Sequence, residues 1–175
     1  MTRAAHALRE AARAGSLAEI VVSPLERARE SAEIVRQIAG GPEARIDLRL
    51  TEASEWREGL PRTFALGPTL GRLVFDRRWG AFEFSWAIAA RVSSVIEECV
   101  RASRGADTDV AIVSHQTPIR LGRFALERST GERTKLRRLF PWFGFRHPCA
   151  TASITTLHFV HDTFVRADYQ PLSAL

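Results

Sequence analysis

The chain has 175 residues, with a hydrophobic fraction of 45%, a charged fraction of 26% and a formal net charge of +5 at pH 7. These values are typical of one globular domain, and no apolar stretch approaches the ~18 residues that span a membrane. The positive charges are scattered and nearly all arginines, and the N-terminus has no uninterrupted apolar segment of a signal peptide. We therefore expect a single cytoplasmic domain over residues 1–175, with no membrane or nucleic-acid partner.

Apolar periodicity and turn residues divide the chain into alternating helices and strands, which predicts an α/β fold. The predicted elements are a helix over Thr2–Ala14, a strand over Glu19–Val22, a helix over Ser23–Ala39, a weak strand over Arg45–Leu50, a helix over Ser85–Arg104, a strand over Val110–Val113, a helix over Pro118–Leu126, and two strands over Ala152–Phe159 and Thr163–Ala167 joined at His161-Asp162. Residues 51–80 show no regular pattern, and we interpret them as a lid or substrate excursion within the domain.

The helix after the first strand has the clearest start signals in the sequence. Ser23 is predicted to cap it, Pro24 to occupy its first position, and Glu26 to complete a capping box with Ser23.

Two polar segments stand where an apolar strand is predicted to pass into a helix. They are Ser23-Pro24-Leu25-Glu26-Arg27-Ala28 and Ser114-His115-Gln116-Thr117-Pro118. Such breaks gather at the carboxyl edge of an open parallel sheet, where ligands bind. We therefore expect Arg27 and His115 to share one anion site.

The residues at these breaks suit phosphate chemistry. An arginine in the first turn of a helix can hold phosphate oxygens in a bidentate fork, and we count Ser23 and Gln116 as further phosphate ligands. His115 can donate to a phosphoryl oxygen, act as an acid or base, or be a nucleophile. The alternatives are an arginine that pairs with Glu26 or Glu30 and a histidine satisfied by backbone groups.

Outside the two breaks, one carboxylate is a candidate for catalysis. Glu52 opens the irregular stretch and can protonate a leaving oxygen, with a solvated loop residue as the alternative. The other histidines lack a metal-ligand spacing, and the two cysteines form no C-x-x-C pair, which predicts buried reduced thiols and neither a metal nor an organic cofactor. These residues are His6, His147, His158, His161, Cys99 and Cys149.

The first segment resembles the Ser-Pro-Leu-x-Arg-Ala-x-x-Thr-Ala motif of the histidine phosphatase superfamily, in its phosphoglycerate mutase-like branch, with Ser31 in place of the threonine. Val110–Arg120 is similar to that family's second catalytic-histidine segment, in which a strand ends in Ser-His and Ile-Arg follows. Glu83–Arg91 resembles its Gly-Glu-Ser…Arg segment more weakly. The resemblance implies a three-layer α/β/α fold with a mostly parallel central sheet.

The same resemblance implies roles for the candidate residues. Arg27 would bind the phosphoryl group, His115 would stabilise its oxygens in the transition state, and Glu52 matches the proton-donor position of a Leu-x-Glu segment. The implied activity is hydrolysis of a small phosphomonoester through a phosphohistidine intermediate. A phosphoglycerate mutase-type phosphotransferase and a catalytically inactive anion-binding module are the alternatives.

Members of this family begin with an apolar strand that ends in Arg-His-Gly, whose histidine is the nucleophile. The present sequence contains no Arg-His-Gly. We interpret it as an N-terminally shortened version of a complete enzyme that lacks the first strand of the sheet. The strands Glu19–Val22 and Val110–Val113 are then expected either to flank a gap or to pair directly.

Overall fold

A computed structural model describes residues 2–11, 17–52, 85–104, 108–129 and 148–171. The helices in these ranges are α1 (Thr2–Ala11), α2 (Glu26–Ala39), α3 (Ser85–Ala102) and α4 (Gln116–Ser129), and a 3-10 helix spans Leu48–Leu50. The strands are β1 (Leu17–Val22), β2 (Arg45–Ile46), β3 (Asp109–Val113), β4 (Ile154–Val160) and β5 (Thr163–Gln170). The predicted α/β alternation is confirmed. The predicted excursion lies outside the described residues, apart from Thr51 and Glu52.

Strand β1 is the middle strand of a parallel sheet with the order β2-β1-β3. β1 and β3 pair directly, with Val21 opposite Ile112 and Val22 opposite Val113. The pairing continues one residue beyond β1, because the N–H of Ser23 donates to the carbonyl of Val113 at 3.0 Å. Of the two expectations for these strands, direct pairing is the correct one. The other edge of β3 has no strand partner among the residues that the structure describes.

The sheet is the middle of three layers, because successive residues of β1 enter different cores. Ile20 and Val22 belong to one core cluster with residues of α1 and α2, whereas Val21 belongs to a second cluster with residues of α3, α4, β4 and β5. α3 carries a stripe of apolar residues at helical spacing, and all of its members are buried: Ile88, Val92, Val95, Ile96 and Cys99. Helices α3 and α4 approach closely at Gly122, where an added Cβ would lie 2.5 Å from Cγ1 of Val92.

The predicted start of α2 at Ser23 is wrong. The helix begins at Glu26, and Leu25 precedes it with an extended backbone and no side-chain cap. The carbonyl of Leu25 accepts the first helical hydrogen bonds, from the N–H groups of Ala28 and Arg29 at 2.9 and 3.0 Å. Ser23 lies two residues before the N-cap position, with its backbone still paired to β3; its hydroxyl contacts His115 and, at 3.5 Å, accepts the backbone N–H of Leu25.

The predicted strand over Arg45–Leu50 is two residues long, and the 3-10 helix follows it. Asp47 terminates the strand, because its carboxylate accepts hydrogen bonds from the backbone N–H of Arg49 at 2.9 Å and from the guanidinium of the same residue at 2.6 Å. Arg49 also reaches Glu98 of α3 at 2.7 Å. The hydrogen bond from the Arg49 side chain is the main reason why the pKa of the buried Asp47 lies below its ordinary value.

The predicted C-terminal hairpin is confirmed. β4 and β5 pair in antiparallel fashion around His161 and Asp162, whose φ angles of 47° and 64° are those of a type I′ turn. Phe164 is buried in the core beneath α3 and α4, with Phe159 against it at a ring separation of 5.7 Å. Within the described ranges the hairpin is a separate sheet and does not pair with β3.

Candidate active site

The site is built around His115, which lies between the end of β3 and the start of α4. Its backbone carbonyl accepts the N–H of Ile119 at 3.0 Å and so begins the helix. Its side chain is buried, with 8% of its surface exposed, and Nε2 lies 2.8 Å from the hydroxyl oxygen of Ser23. The predicted alternative of a histidine satisfied only by backbone groups is therefore not the arrangement found.

Ser23 occupies the matching position at the end of β1. It is fully buried, and its hydroxyl joins the ends of the two strands through His115. This contact fixes the orientation of the imidazole ring and occupies one of its two nitrogens. The predicted role of Ser23 as a phosphate ligand stays a prediction.

Two charged side chains act on His115 from different elements. Arg27 lies in the first turn of α2 and is exposed, whereas Glu52 follows the 3-10 helix and is buried. Burial is the main cause that lowers the pKa of His115; the positive charge of Arg27 lowers it further, and the negative charge of Glu52 opposes both effects. The structure therefore brings three of the predicted site residues into one electrostatic neighbourhood at the carboxyl edge of β1 and β3.

Gln116, the fourth predicted residue at these breaks, makes a structural contact. Its side-chain N–H donates to the carbonyl of Cys149 at 2.7 Å, which ties the start of α4 to the segment before β4. The next residue of that segment, Ala150, donates its N–H to the hydroxyl of Tyr169 at 3.1 Å. One amide N–H of Gln116 is thus committed to the fold, and its role as a phosphate ligand stays a prediction.

Two further residues near the site had no role in the sequence analysis. Burial raises the pKa of the Cys149 thiol, with a smaller opposing effect from Arg120 and a reinforcing one from Glu52. The Nε atom of Arg120 is buried and has no hydrogen-bond partner in the described part of the chain. The spacing of four residues between Gln116 and Arg120 on a helix would have placed both on the face next to Cys149.

The predicted burial of the two thiols is confirmed, and of the four remaining histidines three lie in the described ranges, whereas His147 lies outside them. Cys99 and Cys149 are free and buried. His6 and His161 are exposed, and His158 pairs with Asp168 across the hairpin at 2.9 Å. No group of three or more His, Cys, Asp or Glu side chains in the described ranges could hold a metal ion. None of the described helices has the length and apolar character to cross a membrane.

The match to known proteins agrees with this fold. The family model of the histidine phosphatase superfamily (branch 1) matches residues 2–169. The chain belongs to the histidine phosphatase superfamily. The family resemblance and the fold inferred from it are thereby confirmed.

Relatives of known and unknown activity are similar to the chain. It is 32% identical over 172 residues to the uncharacterised protein Rv0525 of Mycobacterium tuberculosis (strain ATCC 25618 / H37Rv), covering 89% of this chain and 74% of that protein. Its fold is similar to that of the mycobacterial glucosyl-3-phosphoglycerate phosphatase Rv2419c in complex with VO3, with a TM-score of 0.65, 22% identity, and coverage of 99% of this chain and 83% of that one. A structure named mycobacterial hydrolase 1 gives a TM-score of 0.66 at 22% identity, with coverage of 99% and 82%.

Proposed function

We propose that this protein is a phosphomonoester hydrolase of the histidine phosphatase type that acts on a small phosphorylated substrate. One observation carries the proposal: a buried histidine at the carboxyl edge of two parallel strands is hydrogen-bonded to a serine, and the positive charge of Arg27 and the negative charge of Glu52 both act on it. Carboxyl edges of this kind are where open α/β sheets bind ligands.

Each residue has a separate role in the proposal. Arg27 stands at the N-terminal turn of α2, where its guanidinium and the helix dipole both favour an anion. His115 donates to a phosphoryl oxygen, and the negative charge of a bound phosphoryl group raises its pKa and favours the donating imidazolium. Glu52 protonates the oxygen of the leaving alcohol.

The family resemblance assigns the role of nucleophile to a histidine other than His115. In the proposal, the phosphohistidine forms on the histidine of an Arg-His-Gly segment, which the present sequence does not contain. We therefore expect the chain to bind phosphate or vanadate without turning over a phosphomonoester. The second candidate, an inactive anion-binding module, is favoured by the same missing tripeptide.

The binding half of the proposal is tested by calorimetric titration of the chain with orthovanadate and with inorganic phosphate. Arg27→Met removes a charge-assisted contact of about 1.5–3 kcal/mol, so affinity falls roughly tenfold or more. Arg29→Met is the matched control, because Arg29 is an exposed arginine two positions further along α2. Equal affinities for the two variants would exclude Arg27 from the site.

The catalytic half is tested with an aryl phosphate. The chain alone should release no phosphate, and a chain extended upstream by an in-frame strand ending in Arg-His-Gly should release it. If no such segment is encoded upstream, the inactive module is the better description. Turnover by the chain alone that disappears in His115→Ala would make His115 the nucleophile and overturn the assignment of roles.

A further inference from the structure

The backbone that leads into Glu52 is held by a side chain of the neighbouring helix α3. The 3-10 helix ends at Leu50, and carbonyl groups at a helix end lack partners in their own helix. The guanidinium of Arg91, on α3, donates to two of these carbonyls, those of Arg49 and Thr51, the second at 2.7 Å. A planar guanidinium suits two carbonyls that lie two residues apart, and a lysine could not hold both in the same way.

A second side chain holds the carbonyl between these two. The hydroxyl of Ser114 donates to the carbonyl of Leu50 at 2.9 Å, across 64 positions of sequence. Ser114 is also the residue directly before His115, so the same dipeptide carries the buried imidazole and fixes the backbone ahead of Glu52. Three consecutive carbonyls, from position 49 to position 51, are thus bound by the side chains of Arg91 on α3 and of Ser114 in the connection between β3 and α4.

We propose that Arg91 and Ser114 are positioning residues that hold the Glu52 carboxyl beside His115. The inference rests on the proposed function, in which Glu52 is the proton donor. Glu52 is buried with 7% of its surface exposed, so its location depends on the course of the backbone that delivers it. A carboxyl group must be placed within hydrogen-bond reach of the oxygen that it protonates, and release of the three carbonyls would remove that constraint.

A direct readout of this geometry is the titration of His115 in the 175-residue chain, which does not require turnover. The negative charge of Glu52 raises the pKa of the His115 ring, against the lowering effects of burial and Arg27. The chain has five histidines, so ring resonances are resolvable by heteronuclear NMR, and His115→Gln assigns the relevant one. Glu52→Gln is expected to lower the His115 pKa, because the attraction that favours imidazolium is lost.

Arg91→Met and Ser114→Ala are expected to lower the His115 pKa in the same direction as Glu52→Gln. Adding Arg91→Met to Glu52→Gln should produce no further change, since both act through one carboxylate. Arg101→Met is the matched control, because Arg101 lies on the same helix, is exposed, and among the described residues binds only the carbonyl of Glu97. It should leave the titration of His115 unchanged.

The proposal is overturned if Arg91→Met melts cooperatively and keeps the wild-type His115 pKa while Glu52→Gln lowers it. It is also overturned if Glu52→Gln itself has no effect on that pKa. Should Arg91→Met fail to fold, Ser114→Ala decides the question by the same criterion. Failure of the proposed function is seen separately, as the absence of vanadate and phosphate binding to the wild-type chain.

Discussion

Replacement of Ser23 by alanine removes the contact that joins the two strand ends at the site. The serine is fully buried, and its hydroxyl lies 2.8 Å from Nε2 of a histidine that is itself buried. In the variant the imidazole nitrogen keeps its burial and loses its partner, which costs about 1–3 kcal/mol. For a domain of this size each kcal/mol corresponds to about 2–4 °C, so the melting temperature should fall by about 2–12 °C.

The assay is thermal and urea unfolding followed by circular dichroism, with Ser31→Ala as the matched control. Ser31 lies on α2, and in the part of the chain that the structure describes its hydroxyl donates only to the carbonyl of Arg27 in the same helix, so its loss should change stability by no more than about 0.5 kcal/mol. A cycle with His115→Ala isolates the contact, because Ser23→Ala should cost less once the imidazole is gone. The reasoning is refuted if Ser23→Ala is as stable as Ser31→Ala, or if the cycle is additive.

Three further outcomes follow from contacts in the layers around the site. Burial raises the pKa of the Cys99 thiol to about 11, so Ellman's reagent should label this residue in urea but not in the native protein. Rapid labelling of Cys99 in the native protein would contradict its burial. The pKa of Asp47 is lowered in the folded state, so its stabilising effect is complete above its ordinary value of 3.8 and is lost as the pH falls below it. Asp47→Asn should therefore be less stable than wild type at neutral pH by about 1–3 kcal/mol. This difference in stability should become smaller in unfolding curves measured at acidic pH. A difference that does not depend on pH would refute the prediction. Gly122→Ala should lower the melting temperature although alanine has the better helix propensity, because the new Cβ would lie 2.5 Å from Cγ1 of Val92. Adding Val92→Ala to the same chain should restore part of the lost stability. A Gly122→Ala variant as stable as wild type would contradict the close approach of the two helices.

The order of helices and strands could be predicted from the sequence because it depends on local apolar periodicity. The structure buries the apolar stripe of α3 and the run Ile20–Val22 of β1 as expected, whereas in β3 only Ala111 is buried and the other residues are half-buried. The start of α2 could not be predicted in this way. Ser23 and Pro24 have the pattern of a helix cap, but the backbone of Ser23 pairs with Val113 and its hydroxyl contacts His115, each about 90 positions away, and contacts at that distance leave no local signal.

The location of the site could be predicted from the sequence, but the contacts that hold its backbone could not. The strand-to-helix breaks indicated that Arg27 and His115 lie at one edge, and the structure brings their charges together with that of Glu52. The hydrogen bonds of Arg91 to backbone carbonyls could not be predicted, because every residue has a backbone carbonyl and the residue type does not indicate which one accepts a side-chain donor. The termination of β2 was missed for a related reason, since the capping bond of Asp47 competes with the weak alternation that predicted a longer strand.

The parallel pairing of β1 and β3 has a consequence for the time course of folding. Parallel strands cannot form as a local hairpin, and here residues some ninety positions apart must meet before Ser23 and His115 can touch. We expect this encounter to be slow and to come late, so that the anion site does not exist in earlier species. An anion that binds only the finished site should then slow unfolding and leave the folding rate unchanged. The amide proton of Ser23, which is bonded across these strands, should exchange with solvent only when the whole domain opens.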